Sequence, residues 1–179
     1  VTTPAVSGFQ DVVSFLEQQA PHERIFYDGQ FNGIFSFYLR AGDPDFQRGV
    51  VRGNKLLYPS AIDAKWHLTE RVSSPAEVVA LLRQECGCQW LVIERPIAAA
   101  IQRVKAWHHL REALKSPAFQ FVRSFPIRYI KGPPADGHAD DFYLDVYRLL
   151  HPGQTPKELQ FSMPILGAGA VTKGKPVER

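Results

Sequence analysis

The chain is short of several features that would name a chemistry. Of its 179 residues only two are cysteines, Cys86 and Cys88, in the stretch ECGCQW. A pair separated by one glycine rarely reaches good disulfide geometry, so both read as free thiols at a helix-to-strand junction. No CxxC or HxxxH spacing accompanies them, and no metal site is expected. No run approaches the ~20 apolar residues that span a bilayer. No positively charged segment leading into an apolar core opens the chain, so no signal peptide is visible. The chain begins with Val rather than Met, which reads as a processed product or a piece of something longer. Charge is nearly balanced, with 21 basic and 18 acidic residues for a net +3. Basic residues are mixed with acids along the chain, which does not point to a nucleic-acid partner.

The motifs of several enzyme classes are missing too. A nucleotide site would want GxGxxG or a Walker GKS/GKT, and DGQFNG has bulky Phe31 between Gly29 and Gly33. A phosphotransferase aspartate of the haloacid-dehalogenase kind would want a second acid two residues after Asp28, where Gln30 stands. No GxSxG elbow surrounds any serine, and the six histidines form no nucleophile–base pattern. No catalytic residue and no cofactor are expected from these residues.

What is present is ordinary globular composition, 45% hydrophobic and 22% charged, enough for one domain with a real core. SGFQDVVSFLEQQAP predicts a helix opened by a Ser7–Gln10 capping box, with Phe9, Val12, Val13 and Leu16 on one face. RIFYDG predicts a short strand, and residues 31–41 a helix from the spacing of Phe31, Ile34, Phe35, Tyr38 and Leu39. A second strand is expected around Val50 and Val51, before a loop containing Pro59, Asp63, Trp66 and His67. Ser74 as N-cap, Pro75 at the first helical position, Glu77 and a terminating Gly87 define the next helix. QWLVIE reads as a buried strand. Ile97, Ile101, Val104, Trp107, Leu110 and Leu114 form a helical face ending at Ser116-Pro117.

FQFVRSFPI and DFYLDVYRLL read as strands around the turn-rich KGPPADGHADD. With no crossover helix between them, they should form an antiparallel hairpin at one edge of the sheet. The order of elements predicts an α/β, Rossmann-like three-layer sandwich with a mostly parallel sheet. Residues 1–150 form this single domain. Residues 151–179 form a Pro/Gly-rich extension with one short strand at LQFSM, fraying after Gly169.

Two groups of residues are candidates for a site. Asp28 lies at the carboxyl end of the first strand, where open α/β sheets place ligands. Its structural alternative is that Asp28 and Asn32 cap the helix that follows. Arg40, Arg48, Arg52 and Lys55 are candidates for an anion site, with Asp43 and Asp45 near enough in sequence to pair with them instead. His108 and Glu112 could pair along a helix, whereas Asp140, Asp141 and Asp145 have no matching acid–base partner. Trp66, Trp90 and Trp107 fall at positions more typical of core than of a sugar site.

Taken in order, SGFQDVVSFLEQQAP, RIFYDGQFNGIFSFYLRAGDPDFQRGVVRGNKLLY, SPAEVVALLRQECGCQWLVIE, LREALKSPAFQFVRSFPI and FYLDVYRLL resemble one known arrangement. It is that of the soluble C-terminal domain of bacterial polytopic membrane glycosyltransferases of the dolichyl-phosphate-mannose–protein mannosyltransferase-like group. The resemblance covers about residues 7–166. Its strongest part is Tyr27-Asp28-Gly29 with Phe35, Arg40 and Asp43, continuing to Arg52-Gly53 and Lys55-Leu56-Leu57. It implies a parent enzyme that moves a sugar from a polyprenyl-phosphate carrier to an acceptor outside the cytoplasmic membrane. The family's catalytic acid lies in a membrane-proximal loop that this chain lacks, so no catalytic residue carries over. The expectation is a non-catalytic, periplasmic accessory domain. Its partners would be the transmembrane part of the same polypeptide and lipid headgroups or a glycan or lipid acceptor. The alternatives are a stand-alone soluble nucleotide- or sugar-phosphate-binding protein and a structural assembly subunit.

Overall fold

A computed structural model describes residues 5–43, 45, 47–58, 61–62, 68–69, 71–96, 103–130, 141–152, 161–162 and 171–172. Its principal sheet contains six strands. These are β1 (Ala5–Ser7), β2 (Ile25–Asp28), β3 (Val50–Arg52), β6 (Trp90–Arg95), β7 (Phe119–Ile130) and β8 (Asp141–Leu149). Two-residue strands pair separately, β4 (Ala61–Ile62) with β5 (Leu68–Thr69) and β9 (Phe161–Ser162) with β10 (Val171–Thr172). The helices are α1 (Phe9–Gln19), α2 (Asn32–Ala41), α3 (Gly53–Leu56), α4 (Pro75–Leu81) and α5 (Lys105–Ala113). A π-helical turn, Leu82–Cys86, continues α4.

The sheet order is β1-β7-β8-β6-β2-β3. Only β6–β2 and β2–β3 are parallel; β1–β7, β7–β8 and β8–β6 are antiparallel. The sheet is therefore mixed, mostly antiparallel and curled, which overturns the expected Rossmann-like sandwich. The physical reason lies in the connection through α5. A helix between β6 and β7 suggested parallel neighbours, but the chain leaves one strand's width between them. β8 then returns through that gap, antiparallel to both. The β7–β8 pair is an antiparallel hairpin, but it is not at the edge, because β1 adds to the outer side of β7 through Ala5↔Ile130, Val6↔Tyr129 and Ser7↔Arg128.

Both faces of the sheet are covered by apolar side chains, as expected of strands that read as continuous hydrophobic runs. On one face Phe26, Leu91 and Ile93 pack with Val78 and Leu82 of the α4 segment and Leu110 and Ala113 of α5. On the other, Ile25, Tyr27, Trp90 and Val92 pack with Phe9 and Leu16 of α1 and Phe35 and Leu39 of α2. The period of two along β2 and β6 sends alternate residues to opposite clusters. Phe9, Val12, Val13 and Leu16, the face the sequence predicts for α1, are all buried.

Several local expectations change. Ser7 is spent in β1, so α1 starts at Gly8 in a left-handed conformation (φ 100°) with no side-chain cap. Cys86 and Cys88 are not free thiols but a disulfide, brought to a Cα separation of 5.1 Å by left-handed Gly87 (φ 61°). β9 falls within the strand expected at LQFSM, and β10 lies beyond Gly169, where fraying was expected. Ser74 caps α4 as predicted, its Oγ accepting from the Glu77 N–H at 3.2 Å. The predictions for Pro59, Asp63, Trp66, His67, Ile97, Ile101 and residues 131–140 lie outside the described residues.

Candidate functional site

β2 and β6 are parallel neighbours and both end in a carboxylate. Asp28 is opposite Ile93 in the register, one residue before Glu94. Both acids are buried, at 1% and 0% exposure. Alternation sends them to opposite faces: Asp28 projects on the side of Phe26, and Glu94 on the side of Val92. They therefore cannot act as a paired acid and base on one substrate.

Asp28 accepts from the Tyr58 hydroxyl at 3.1 Å (Oδ1) and 3.3 Å (Oδ2). Gly53, the first residue of α3, makes room for it, since a Cβ there would lie 2.8 Å from Asp28 Cγ. Burial is the largest influence and raises the Asp28 pKa to about 6, against the lowering effects of Tyr58 and the Arg111 guanidinium. Tyr58 is pushed above its usual value, first by burial and then by the Asp28 charge. Arg111 Nη2 donates to the Glu94 carbonyl at 2.5 Å, which ties α5 to the end of β6.

Glu94 does something different on the other face. Its carboxylate accepts from the backbone N–H of Gln30 at 2.8 Å and of Phe31 at 2.7 Å, and from the Tyr27 hydroxyl. Gly29 lies beneath it, where a Cβ would come 2.5 Å from Oε1 and closer still to the carbon stem. Burial raises the Glu94 pKa, with its three hydrogen-bond donors pulling the other way. The free N–H groups entering α2 are an anion site by construction. Here the protein's own carboxylate fills that site, and with it the strand-tip position where an open α/β sheet would seat a phosphate.

This arrangement corrects the cap expected from Asp28 and Asn32. Asp28 turns to Tyr58, while Asn32 Nδ2 donates to the Gly29 carbonyl, and α2 has no side-chain cap from its own first turn. The acid that satisfies the helix entrance comes from 63 residues away. Glu94, Tyr58 and Arg111 were not singled out from the sequence. Glu94 could have been, because it ends the apolar run LVIE as Asp28 ends IFYD.

The four cationic candidates do not form one group. Arg48 is buried at 4% exposure, with Nη2 donating to Glu17 Oε1 at 3.1 Å and to the Gly42 carbonyl at 2.7 Å. Arg40 pairs with Asp43 at 3.7 Å, and Asp43 also accepts from the N–H groups of Gln47 and Arg48. Arg52 and Lys55 are exposed at the other end of β3. Four residues of extended chain separate Arg48 from Arg52, roughly 13 Å.

Asp145 does have partners: Arg95 Nε donates to its Oδ2 at 2.8 Å and the Ser124 hydroxyl donates to Oδ1, bracing β6, β8 and β7. Trp90 is core, and Glu112 pairs with Lys115. Among the described residues no three His, Cys, Asp or Glu side chains gather as a metal site would need, and no helix is long and apolar enough to cross a membrane. No protein-family model, characterised protein or solved structure matches this chain.

Proposed function

We propose that this chain is a non-catalytic accessory domain of a polyprenyl-phosphate-sugar-dependent membrane glycosyltransferase, on the outer face of the bacterial cytoplasmic membrane. The observation that carries the reading is what the resembling residues do together. Tyr27 donates to Glu94 and stacks on Phe35 with ring centroids 4.4 Å apart; Asp28 nests against Gly53; Arg40 pairs with Asp43; Leu56 and Leu57 are core. The string that resembles the family thus serves as a scaffold, with its carboxylates engaged by the chain's own donors rather than held ready for a substrate. Glu94 in the α2 entrance also weighs against the nucleotide- or sugar-phosphate-binding alternative, because a phosphate there would have to displace it. A disulfide, such as Cys86–Cys88, is a bond that persists in oxidising compartments, which fits a place outside the cytoplasm.

The test is an epitope tag at the 3′ end of the chromosomal gene, followed by fractionation and protease treatment of spheroplasts. A tagged product that stays with the membrane after alkaline extraction and is cleaved from outside supports the reading. A product in the soluble cytosol overturns it.

A further inference from the structure

The end of the sheet opposite Asp28 and Glu94 has a groove of about 580 Å³, and it is built largely from cationic side chains. The entrances to β2, β3 and β6 line it, with His22, Arg24, Arg40, Gln47, Arg48 and Gln89 supplying polar groups and Glu23 the one carboxylate. We propose that this groove is a binding site for a phosphate-bearing group.

Three guanidiniums face one carboxylate across the groove. Two of them are held from behind, Arg48 by Glu17 and Arg40 by Asp43, so their positions are set before any ligand arrives. Glu23 is already engaged. With its amide oriented to satisfy both ends, Gln89 donates to Glu23 Oε2 at 3.0 Å and accepts from Arg148 Nη2 at 2.9 Å. The carboxylate is thereby drawn toward a cation of its own, which leaves the arginines for an anion. A second observation comes from Arg48 itself. Its side chain is almost wholly buried, yet Nη1 has no hydrogen-bond partner. A buried guanidinium N–H without an acceptor is costly and calls for one. The planar fork of arginine matches phosphate oxygens two at a time, and a dianion answers the excess of positive charge. The volume admits more than the bare ion, so the phosphate can belong to a soluble phosphomonoester or to a lipid headgroup. The site is independent of the glycosyltransferase reading and would stand without it.

The experiment uses the whole 179-residue chain, isotopically labelled, titrated first with inorganic phosphate and then with vesicles of phosphatidylcholine with and without phosphatidic acid. The expected result is saturable shifts of the amides at 22–24, 47–49 and 87–89. Arg24→Gln should weaken binding roughly tenfold, the loss of one charge-assisted contact. Glu23→Gln should tighten it several-fold. The two substitutions move affinity in opposite directions, so misfolding cannot mimic both. Saturation by free phosphate points to a soluble ligand, and binding only to the phosphatidic acid vesicles points to a headgroup; either supports the site. Absence of both kinds of binding, or binding unchanged in Arg24→Gln and Arg40→Gln, overturns it.

Discussion

The carboxylate of Glu94 rests directly on the backbone of Gly29, so close that a Cβ at that glycine would lie 2.5 Å from its Oε1. One contact thus joins the end of β6 to the entrance of α2. It explains why the chain turns on a glycine there, although Gly29 itself has no left-handed φ.

Gly29→Ala should therefore destabilise the fold by about 1–3 kcal/mol, the usual effect of forcing extra volume into a packed site. Urea unfolding measures it. If the collision with Glu94 is the cause, the Gly29→Ala, Glu94→Ala pair will show less than the sum of the single effects. Strict additivity would mean that the glycine serves another purpose.

Glu94→Gln tests the cap itself. The amide keeps one acceptor but turns its NH2 group toward the N–H donors of Gln30 and Phe31. We expect a loss of about 1–3 kcal/mol, the cost of leaving a buried donor unsatisfied. Hydrogen exchange should quicken at Gln30 and Phe31 before it changes in β7 and β8. Equal acceleration throughout would remove the special role of this carboxylate.

Asp28 makes stability depend on pH in an unusual direction for a carboxylate. Its pKa rises from 3.8 to about 6 because it is buried. Between those values the folded chain holds more protons than the unfolded one, so its contribution is full below pH 3.8 and is lost as pH rises through 6. The loss is on the order of 2–3 kcal/mol. Asp43 works the other way: burial opposes ionisation, but the N–H groups of Arg48 and Gln47 and the nearby guanidiniums outweigh it and lower its pKa. Its contribution is present above 3.8 and lost as pH falls through its lowered folded value, outside the Asp28 window. Asp28→Asn should flatten the pH 4–6 slope while retaining the Tyr58 contact. An unchanged slope would assign the effect to another group.

Arginines 48 and 52 should separate cleanly. Arg48→Gln removes the pair with Glu17 and the bond to the Gly42 carbonyl, and should cost about 1–3 kcal/mol. Arg52→Glu with Lys55→Glu lies on exposed surface, where each change stays within roughly 0.5 kcal/mol. Comparable thermal shifts for the two would contradict the placement of Arg48.

The cysteines give a direct chemical readout. Denatured without reductant, the chain should take up no alkylating reagent; after reduction it should take up two equivalents, one for each cysteine. Two adducts without reduction would show free thiols.

Much of the secondary structure was legible because its causes are local. Ser74, Pro75 and Glu77 act within one helical turn, and the burial of Phe9, Val12, Val13 and Leu16 follows from spacing alone. The entrance to α2 was misread because its acceptor is not local: nothing in DGQFN announces a carboxylate that arrives from β6. Cys86 and Cys88 were misread because their approach depends on the left-handed backbone at Gly87. The four basic candidates looked like one group in the sequence, yet an extended strand places Arg48 and Arg52 at opposite ends.

By itself, then, the sequence determined the positions of the buried strands and amphipathic helices, since 2.0 and 3.6 residue periods act over a few neighbours. Only the tertiary structure decided the order and direction of the strands. A helical connection between β6 and β7 is compatible with direct pairing or with a gap, and it is the return of β8 that selects the gap. The same holds for the two acids at the strand tips. The sequence puts both at the ends of apolar runs, but the pairing of β2 with β6 sets them on opposite faces of the sheet. One stays within reach of Tyr58, and the other closes the entrance of α2.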